Sequence, residues 1–307
     1  MTTYDVIVLG DYFFDQIFWG LPKFPTLGCE TYAEGLVTTG GGMFITAVAL
    51  SRLGVTVGWP ATFGSDEYSA VIHHLAEREG VELDLARHID QPYARVTSAI
   101  PMASERAFVT YTDPTPDDLI DYWRERITTS HYHHVHFDGL GASDHFEQIS
   151  AIAHAKGATV SSDCQDGAHL NQPCACFDRL TSLDIFLPNA REAQIIAEVD
   201  DTRKAVEILM QQVKTVIVKD GEKGAWLGHD DEITLIPGIH AQPVVDTTGA
   251  GDNFNAGFLY GYLVEKARMD QCVRYGNICG GLSVTGVGGA THSPTREAML
   301  KRASEVT

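Results

Sequence analysis

Short apolar runs alternate with amphipathic helical patterns along most of this chain, and that alternation constrains its fold most. The runs predict strands at residues 4–9, 55–59, 135–137, 159–162, 183–187 and 215–219. Helical patterns at residues 42–53, 66–79 and 143–156 each end before a glycine, and two more helices are predicted between the last two strands. Strands separated by helices favour a mostly parallel sheet covered on both faces. We predict one doubly wound α/β domain over residues 1–307.

Two stretches interrupt the alternation and carry β-like patterns of their own. Residues 11–37 are too long for a strand-to-helix loop and contain strand-like pieces, as do residues 95–111. Both follow the carboxyl side of early strands, where ligands bind in an open α/β sheet. We predict that segments 12–38 and 95–111 form one small β-sheet lid, with a pair of decorative hairpins as the alternative.

The segment PVVDTTGAGDNFNAGFLYGY, residues 243–262, is the most informative for chemistry. Its valine pair predicts a short strand, and the apolar pattern after Asp252 predicts a helix. Gly249, Ala250 and Gly251 have little or no side chain, so a phosphate can approach their N–H groups at the positive end of that helix. Asp252 could accept a proton from an attacking hydroxyl, and the helix dipole should keep it ionised. A glycine-rich helix start with an aspartate cap is the alternative.

The run DTTGAGDNFNAGF resembles the C-terminal signature of the ribokinase/PfkB family of carbohydrate kinases. The resemblance implies a doubly wound sheet with a β lid and ATP-dependent transfer of the γ-phosphate to a hydroxyl of a sugar or sugar-like molecule. It implies that Asp252 is the catalytic base and that Gly249, Ala250 and Gly251 form the anion hole. The likeness extends over residues 4–295.

Two N-terminal motifs resemble the acceptor-binding part of the family. In GDYFFD, Asp11 and Asp15 match acidic residues that bind sugar hydroxyls, and each carboxylate can accept more than one hydrogen bond. Gly41 and Gly42 belong to a glycine signature at which the backbone approaches the sugar. Ile45 occupies a substrate-contact position where the family often has Asn, which implies a different hydroxyl pattern or ring.

The nucleotide-binding part resembles the family at several C-terminal positions. PNARE resembles the N-x-x-E motif, which implies that Asn189 and Glu192 organise Mg²⁺ through water. Further residues that the resemblance places at ATP are Lys219, Gly221, Gly224, Thr248 and Asn277. It also implies a K⁺ site at Asp246.

One further departure concerns the Asp163-Cys164-Gln165 segment, where many sugar kinases have D-x-N and then an arginine. Gln165 replaces the Asn, and Gly167 stands at the usual basic position. We therefore expect the chain to use another basic residue, for which the candidates are Arg106, Arg191 and Lys219, or to rely on Mg²⁺ and the anion hole alone.

Other functions stay open at this point. A nucleoside kinase would need a base slot, which Phe13, Phe14, Phe44 and Phe108 could line. A sugar or nucleotide sensor without catalysis is a second alternative. Metal binding by Cys174, Cys176 and His169 is a minor alternative, because their spacing fits no standard zinc pattern. The histidine cluster at residues 131–136 is a second minor candidate for a metal site, and we expect it instead to form an exposed helix-to-strand loop that enters the sheet.

Charge and hydropathy limit the partners. The formal net charge is −19, which repels nucleic acid and anionic membranes. There is no apolar run of membrane-spanning length and no signal-peptide pattern at the start, so we expect a cytoplasmic protein. The family resemblance implies a homodimer formed through the lid.

Overall fold

The computed structural model describes residues 2–102, 105–140, 145–164 and 177–305. Within them lie sixteen strands: β1 Thr3–Tyr4, β2 Val6–Leu9, β3 Tyr12–Trp19, β4 Gly35–Gly42, β5 Val57–Gly58, β6 Thr62–Phe63, β7 Arg87–His88, β8 Arg95–Met102, β9 Glu105–Thr112, β10 His131–Tyr132, β11 His134–Phe137, β12 Thr159–Ser162, β13 Ile185–Phe186, β14 Thr215–Lys219, β15 Gly224–His229 and β16 Glu232–Pro237.

An eight-stranded sheet forms the centre, in the order β16-β15-β14-β13-β12-β11-β2-β5. Strands from β14 to β5 in this order pair in parallel, and β14-β15 and β15-β16 pair antiparallel. The predicted mostly parallel sheet is confirmed. Two buried apolar clusters contain its side chains, as expected for a sheet covered on both faces.

The described helices are α1 Met43–Arg52, α2 Glu67–Arg78, α3 Leu119–Thr129, α4 His145–Ala155, α5 Ala190–Ile196, α6 Thr202–Leu209, α7 Ala250–Leu263, α8 Met269–Ser283 and α9 Arg296–Glu305. Local signals set several ends. Asp66 accepts the Ser69 N–H at the start of α2, and Gly80 follows its end with φ of 71°. No helix of the described residues is long and apolar enough to cross a membrane.

The two interrupting segments pair with each other as a four-stranded sheet in the order β4-β3-β8-β9. Strand β3 starts one residue after Asp11, and β4 ends at Gly42, immediately before α1. Both ends of this β3-β4 pair therefore join the central sheet at the predicted acceptor motifs.

Two sequence expectations are wrong. Val244 and Val245 form no strand; both are exposed, and Val245 N–H bonds to the Val284 carbonyl in a loop. His134 and His136 do not lie in an exposed loop: both are fully buried in β11 and both contact the Ser161 hydroxyl, at 2.6 and 2.8 Å. Among the described residues, no group of three or more His, Cys, Asp or Glu side chains is arranged to hold a metal ion. Cys174, Cys176 and His169 lie outside the described residues.

Candidate active site

Three aspartates follow three neighbouring strands of the central sheet at their carboxyl ends. Asp11 comes after β2, Asp138 directly after β11, and Asp163 directly after β12. The carboxyl ends of parallel strands meet at one edge, where open α/β sheets bind ligands. The topology therefore brings these carboxyl groups into one region.

Helix α7 begins at this region with a backbone turn that only a small residue adopts easily. Gly249 caps the helix in the left-handed region, with φ of 71°, and an added Cβ there would lie 2.7 Å from Gly289 Cα. The N–H groups of the first helical turn lack intrahelical acceptors. Together with the helix dipole, they make the start of α7 suited to an anion.

Asp252 lies in the first turn of α7 and is held by a second helix. Thr46 of α1 donates from Oγ1 to Asp252 Oδ1 at 3.0 Å. Burial raises the pKa of Asp252 to about 6, with Asp163 adding to the rise and Lys219 and Thr46 opposing it. The expected dipole effect therefore does not depress this pKa, but the carboxyl remains mostly ionised at neutral pH.

Two further carboxyl groups face close-packed glycine backbone. A Cβ on Gly41 would lie 2.2 Å from Asp15 Oδ2, and one on Gly10 would lie 2.2 Å from Asp138 Oδ2. Asp15 is 9% exposed. Burial raises the pKa of Asp15 to about 7 and that of Asp138 to about 8, and the charge of Asp252 contributes to both shifts. Asp15 and Asp138 are thus each near enough to Asp252 to be repelled by its charge.

Asp11 is engaged by residues from the start of the small sheet. Arg95 Nη2 lies 3.0 Å from Asp11 Oδ2, and the Tyr93 hydroxyl donates to Asp11 Oδ1 at 2.9 Å. Arg95 also donates to the Tyr93 hydroxyl and stacks over its ring. Burial raises the pKa of Asp11, and Arg95 opposes the rise.

Lys219, predicted to meet ATP, belongs to a buried polar network beneath the start of α7. Its ammonium lies 2.7 Å from Asp163 Oδ2 and 3.3 Å from Asn255 Oδ1, and Asn255 donates to the same Asp163 oxygen at 2.6 Å. A Cβ on Gly251 would lie 3.3 Å from Lys219 Nζ. A positive charge therefore stands beside the anion-binding turn.

Asp252 also lines a cavity of about 1380 Å³. It is large enough for a nucleotide. The predicted site residues that line it are Asn189, Glu192, Lys219, Gly221, Gly224, Ala250, Gly251, Asp252 and Asn277. Thr248 and Gly249 are not among the lining residues, whereas Thr247 is. Asn277 also braces the cavity wall, donating to the Ile236 and Pro237 carbonyls at 3.1 Å.

Asn189 and Glu192 form a capping box at the start of α5. Asn189 Oδ1 accepts the Glu192 N–H at 2.9 Å, and Glu192 Oε2 accepts the Asn189 N–H at 2.7 Å. Both are hard-oxygen side chains at the cavity, which suits Mg²⁺ held through water. Their capping bonds leave this pair better suited to a hydrated ion than to a direct ligand shell.

Asp246 ties two loops together. Its carboxylate accepts hydrogen bonds from the Thr248 N–H and hydroxyl and from the Gly288 N–H, at 2.9, 2.7 and 3.0 Å. These bonds fix the loop before α7 against the loop after α8.

Ile45 and the predicted aromatic slot are not arranged as one open pocket. Ile45 is buried, and it lies against the backbone positions of Gly249 and Gly289. Phe14 and Phe44 belong to the hydrophobic core, whereas Phe108 is exposed on β9. Phe14 and Phe44 therefore do not form a common base slot with Phe108. Gln165 and Gly167 lie outside the described residues, as does the side chain of Arg106, and Arg191 is exposed on α5.

Sequence reasoning missed several residues of this site, namely Thr46, Tyr93, Arg95, Asp138 and Asn255. Asp138 carried one usable signal, because it directly follows a predicted strand on the carboxyl side. The others are identified by contacts between distant segments, which no local pattern encodes.

The fold and the site together define a kinase-like phosphotransferase: a helix start suited to an anion, a carboxylate beside it, a nucleotide-sized cavity and a group of nearby carboxyl groups. Residues 32–296 match the pfkB family of carbohydrate kinases. An uncharacterized sugar kinase of Archaeoglobus fulgidus is 30% identical over 234 residues, which cover 75% of this chain and 92% of the relative. A ribokinase of Haemophilus influenzae is 26% identical over 286 residues, with 83% and 84% covered.

Solved structures agree on the fold. An Arabidopsis thaliana ribokinase complexed with ribose and ATP aligns with a TM-score of 0.77 at 22% identity, covering 98% of each chain. Other similar proteins are named as fructokinases and nucleoside kinases. The chain belongs to the pfkB family of carbohydrate kinases and has the ribokinase-like fold. It is therefore a phosphotransferase with an alcohol group as acceptor.

Proposed function

We propose that this protein transfers the γ-phosphate of ATP to a hydroxyl of a sugar or sugar-like acceptor, with Asp252 as the general base. The observation that carries the proposal is the position of Asp252. It stands in the first turn of α7, where it lines the nucleotide-sized cavity and where its charge acts on the carboxyl groups of Asp15 and Asp138. A base in that position meets both the transferring phosphate and the attacking hydroxyl.

The steps assigned to the protein follow from this arrangement. Asp15 and Asp138 accept hydrogen bonds from acceptor hydroxyls, and Asp252 takes the proton of the hydroxyl that attacks. The N–H groups at Gly249, Ala250 and Gly251 and the ammonium of Lys219 stabilise the charge on the moving phosphoryl group. Mg²⁺, when bound, neutralises charge on the ATP phosphates, and Asn189 and Glu192 would hold its water shell.

The accessory assignments rest on the family and on geometry. We assign the small sheet as a lid that excludes water from the acceptor, because β3, β4 and β8 all begin or end at acceptor-side residues. Exposed apolar side chains on that sheet, including Leu36, Phe108 and Val109, favour a homodimer formed there. The loops joined by Asp246 are the proposed K⁺ site. Light scattering and potassium dependence of the rate test these assignments.

The support for a nucleoside acceptor comes from similarity to proteins named as a cytidine kinase and a nucleoside kinase. The arrangement of the phenylalanines does not favour a base slot, so a sugar or polyol acceptor is the primary proposal. A non-catalytic sensor is disfavoured, because the base and the complete anion-binding turn are both retained.

Substitution of Asp252 tests the assignment. In Asp252→Asn, we expect kcat to fall by about 10³-fold or more with ATP binding retained, because the amide cannot accept the proton. ADP release across a panel of sugars, polyols and nucleosides measures the rate, and calorimetry measures ATP binding. Wild-type turnover in this variant would refute Asp252 as the base.

A further inference from the structure

The acceptor side of the site contains four carboxyl groups from three separate parts of the chain, which are Asp11 with Asp15, Asp138 and Asp252. The charge of Asp252 acts on both Asp15 and Asp138, and the charge of Asp11 also acts on Asp138. Asp15 is nine-tenths buried, and no hydrogen-bond donor of the described residues reaches its carboxylate. A buried carboxylate without a protein donor calls for a donor from the ligand. Hydroxyl groups are such donors, and anionic groups are not.

Basic side chains are scarce around these carboxyls. Among the charges that act on the four groups, the described residues provide Arg95 beside Asp11 and Lys219 beside Asp252. Both side chains form ion pairs with carboxylates of the protein itself. Arg95 pairs with Asp11 at 3.0 Å, and Lys219 pairs with Asp163 at 2.7 Å on the nucleotide side.

The segments outside the described residues supply no replacement. The segments outside the described residues contain no Lys or Arg. The one basic side chain within the described ranges that is not itself described is that of Arg106, and the backbone places this residue at the far end of the small sheet. Asp15 pairs with Thr97, which pairs with Thr110, and Arg106 lies four residues from Thr110 along β9. That separation is about 13 Å along the strand alone.

From these observations we infer that the acceptor is a polyhydroxy compound without an anionic group, which excludes sugar phosphates and sugar acids. A phosphate or carboxylate on the acceptor would lie among these four carboxyl groups, and the Lys and Arg side chains that act on them among the described residues, Arg95 and Lys219, are already paired. This inference rests on the proposed function and narrows its substrate class. The selectivity for uncharged acceptors depends on the pairing of Arg95, because Asp11 neutralises the charge of its guanidinium.

Matched acceptors that differ by one anionic group test the inference. The pairs are D-ribose with D-ribose 1-phosphate and D-ribose 5-phosphate, D-glucitol with D-gluconate, and cytidine with its 5′-monophosphate. ADP release gives kcat/KM, and calorimetry with a non-hydrolysable ATP analogue gives acceptor affinity. Two phosphate positions and the binding measurement ensure that a blocked hydroxyl does not account for lost activity.

We expect the uncharged member of at least one pair to be preferred by about 100-fold or more. A charged member that equals or exceeds its uncharged partner would overturn the inference and leave the kinase assignment intact. Absence of ADP release with every acceptor would instead overturn the proposed function, and the inference with it.

Asp11→Asn provides a second readout that a merely structural role would not move. It releases the Arg95 guanidinium from its carboxylate, so we expect the ratio of charged to uncharged acceptor affinity to rise about 10-fold or more. Asp118→Asn is the matched control, because it frees Arg87 from a 2.8 Å ion pair on the surface. The same ratio in Asp11→Asn, Asp118→Asn and the wild type would contradict the role of Arg95.

Discussion

The hydroxyl of Thr46 should set the pH range in which the enzyme works. It donates to Asp252 Oδ1 at 3.0 Å from a position in α1 that is 1% exposed. Replacing Thr46 by Val exchanges the hydroxyl for a methyl group of similar shape. A hydrogen bond to a charged group contributes about 1.5–3 kcal/mol. Because one pKa unit corresponds to about 1.4 kcal/mol, its loss should raise the pKa of Asp252 by about one unit or more.

The direction of the activity change follows from the proposed role of Asp252 as general base. Burial already raises this pKa to about 6, so the carboxyl is mostly ionised at neutral pH in the wild type. With the pKa near 7, the ionised fraction at pH 7 falls from about nine-tenths to about half. The acid limb of kcat/KM should therefore move to higher pH by about one unit, while the rate well above pH 8 changes less.

Initial rates of ADP release between about pH 5 and pH 9 measure this shift, with the acceptor varied at saturating ATP. Thr46→Ser is the control, because it keeps the hydroxyl and should keep the wild-type acid limb. Superimposed profiles for Thr46→Val and the wild type would refute the argument that this hydrogen bond holds the base ionised.

Two further substitutions probe the buried charges. Asp138 has a pKa of about 8 in the folded protein, which is above its unfolded value. Its burial therefore lowers the free energy of unfolding by an amount that grows as the pH rises from about 4 to 8. Asp138→Asn should raise the free energy of unfolding by about 2 kcal/mol at pH 8 and by less at pH 5, and it should weaken acceptor binding. Urea midpoints at both pH values check this, and a gain that is equal at both would contradict it. Lys219→Met leaves Asp163 without its cation and should cost about 3 kcal/mol, whereas Lys223→Met, at an exposed pair, should cost less than about 1 kcal/mol. Equal losses of unfolding free energy for the two lysines would show that burial of the first pair has no energetic consequence.

Elements whose ends are fixed by single residues were predicted well from sequence. Strands predicted at residues 159–162 and 215–219 have those bounds in the structure, and α2 lies within one residue of its prediction. Strands predicted at 55–59 and 183–187 are shorter, as β5 and β13. Their apolar runs continue beyond the residues that find a ladder partner, and pairing is decided by neighbouring strands rather than by the run itself.

The site was predictable only where one motif contains both the backbone and the side chain. The turn at Gly249 and the position of Asp252 follow from a single segment. The partner of Asp252 does not, because Thr46 lies 206 residues away along the chain. The pairing of Asp11 with Arg95 is likewise a product of the fold, since β3 and β8 are adjacent only in the assembled small sheet. The motif could therefore point to Asp252 as the proposed base, but not to the groups that shift its pKa.

The bond between Asp11 and Arg95 also bears on how acceptor choice can change during evolution. A new arginine in a close-packed interior needs space and a partner, so it rarely arises in one step. Here a guanidinium is already buried, and its Nε has no hydrogen-bond partner among the described residues. A single-nucleotide change from an aspartate to an asparagine codon at position 11 would expose its charge to the acceptor. Proteins that carry the Asp11–Arg95 pair could therefore gain recognition of anionic acceptors by losing one carboxylate, without first acquiring a new basic residue.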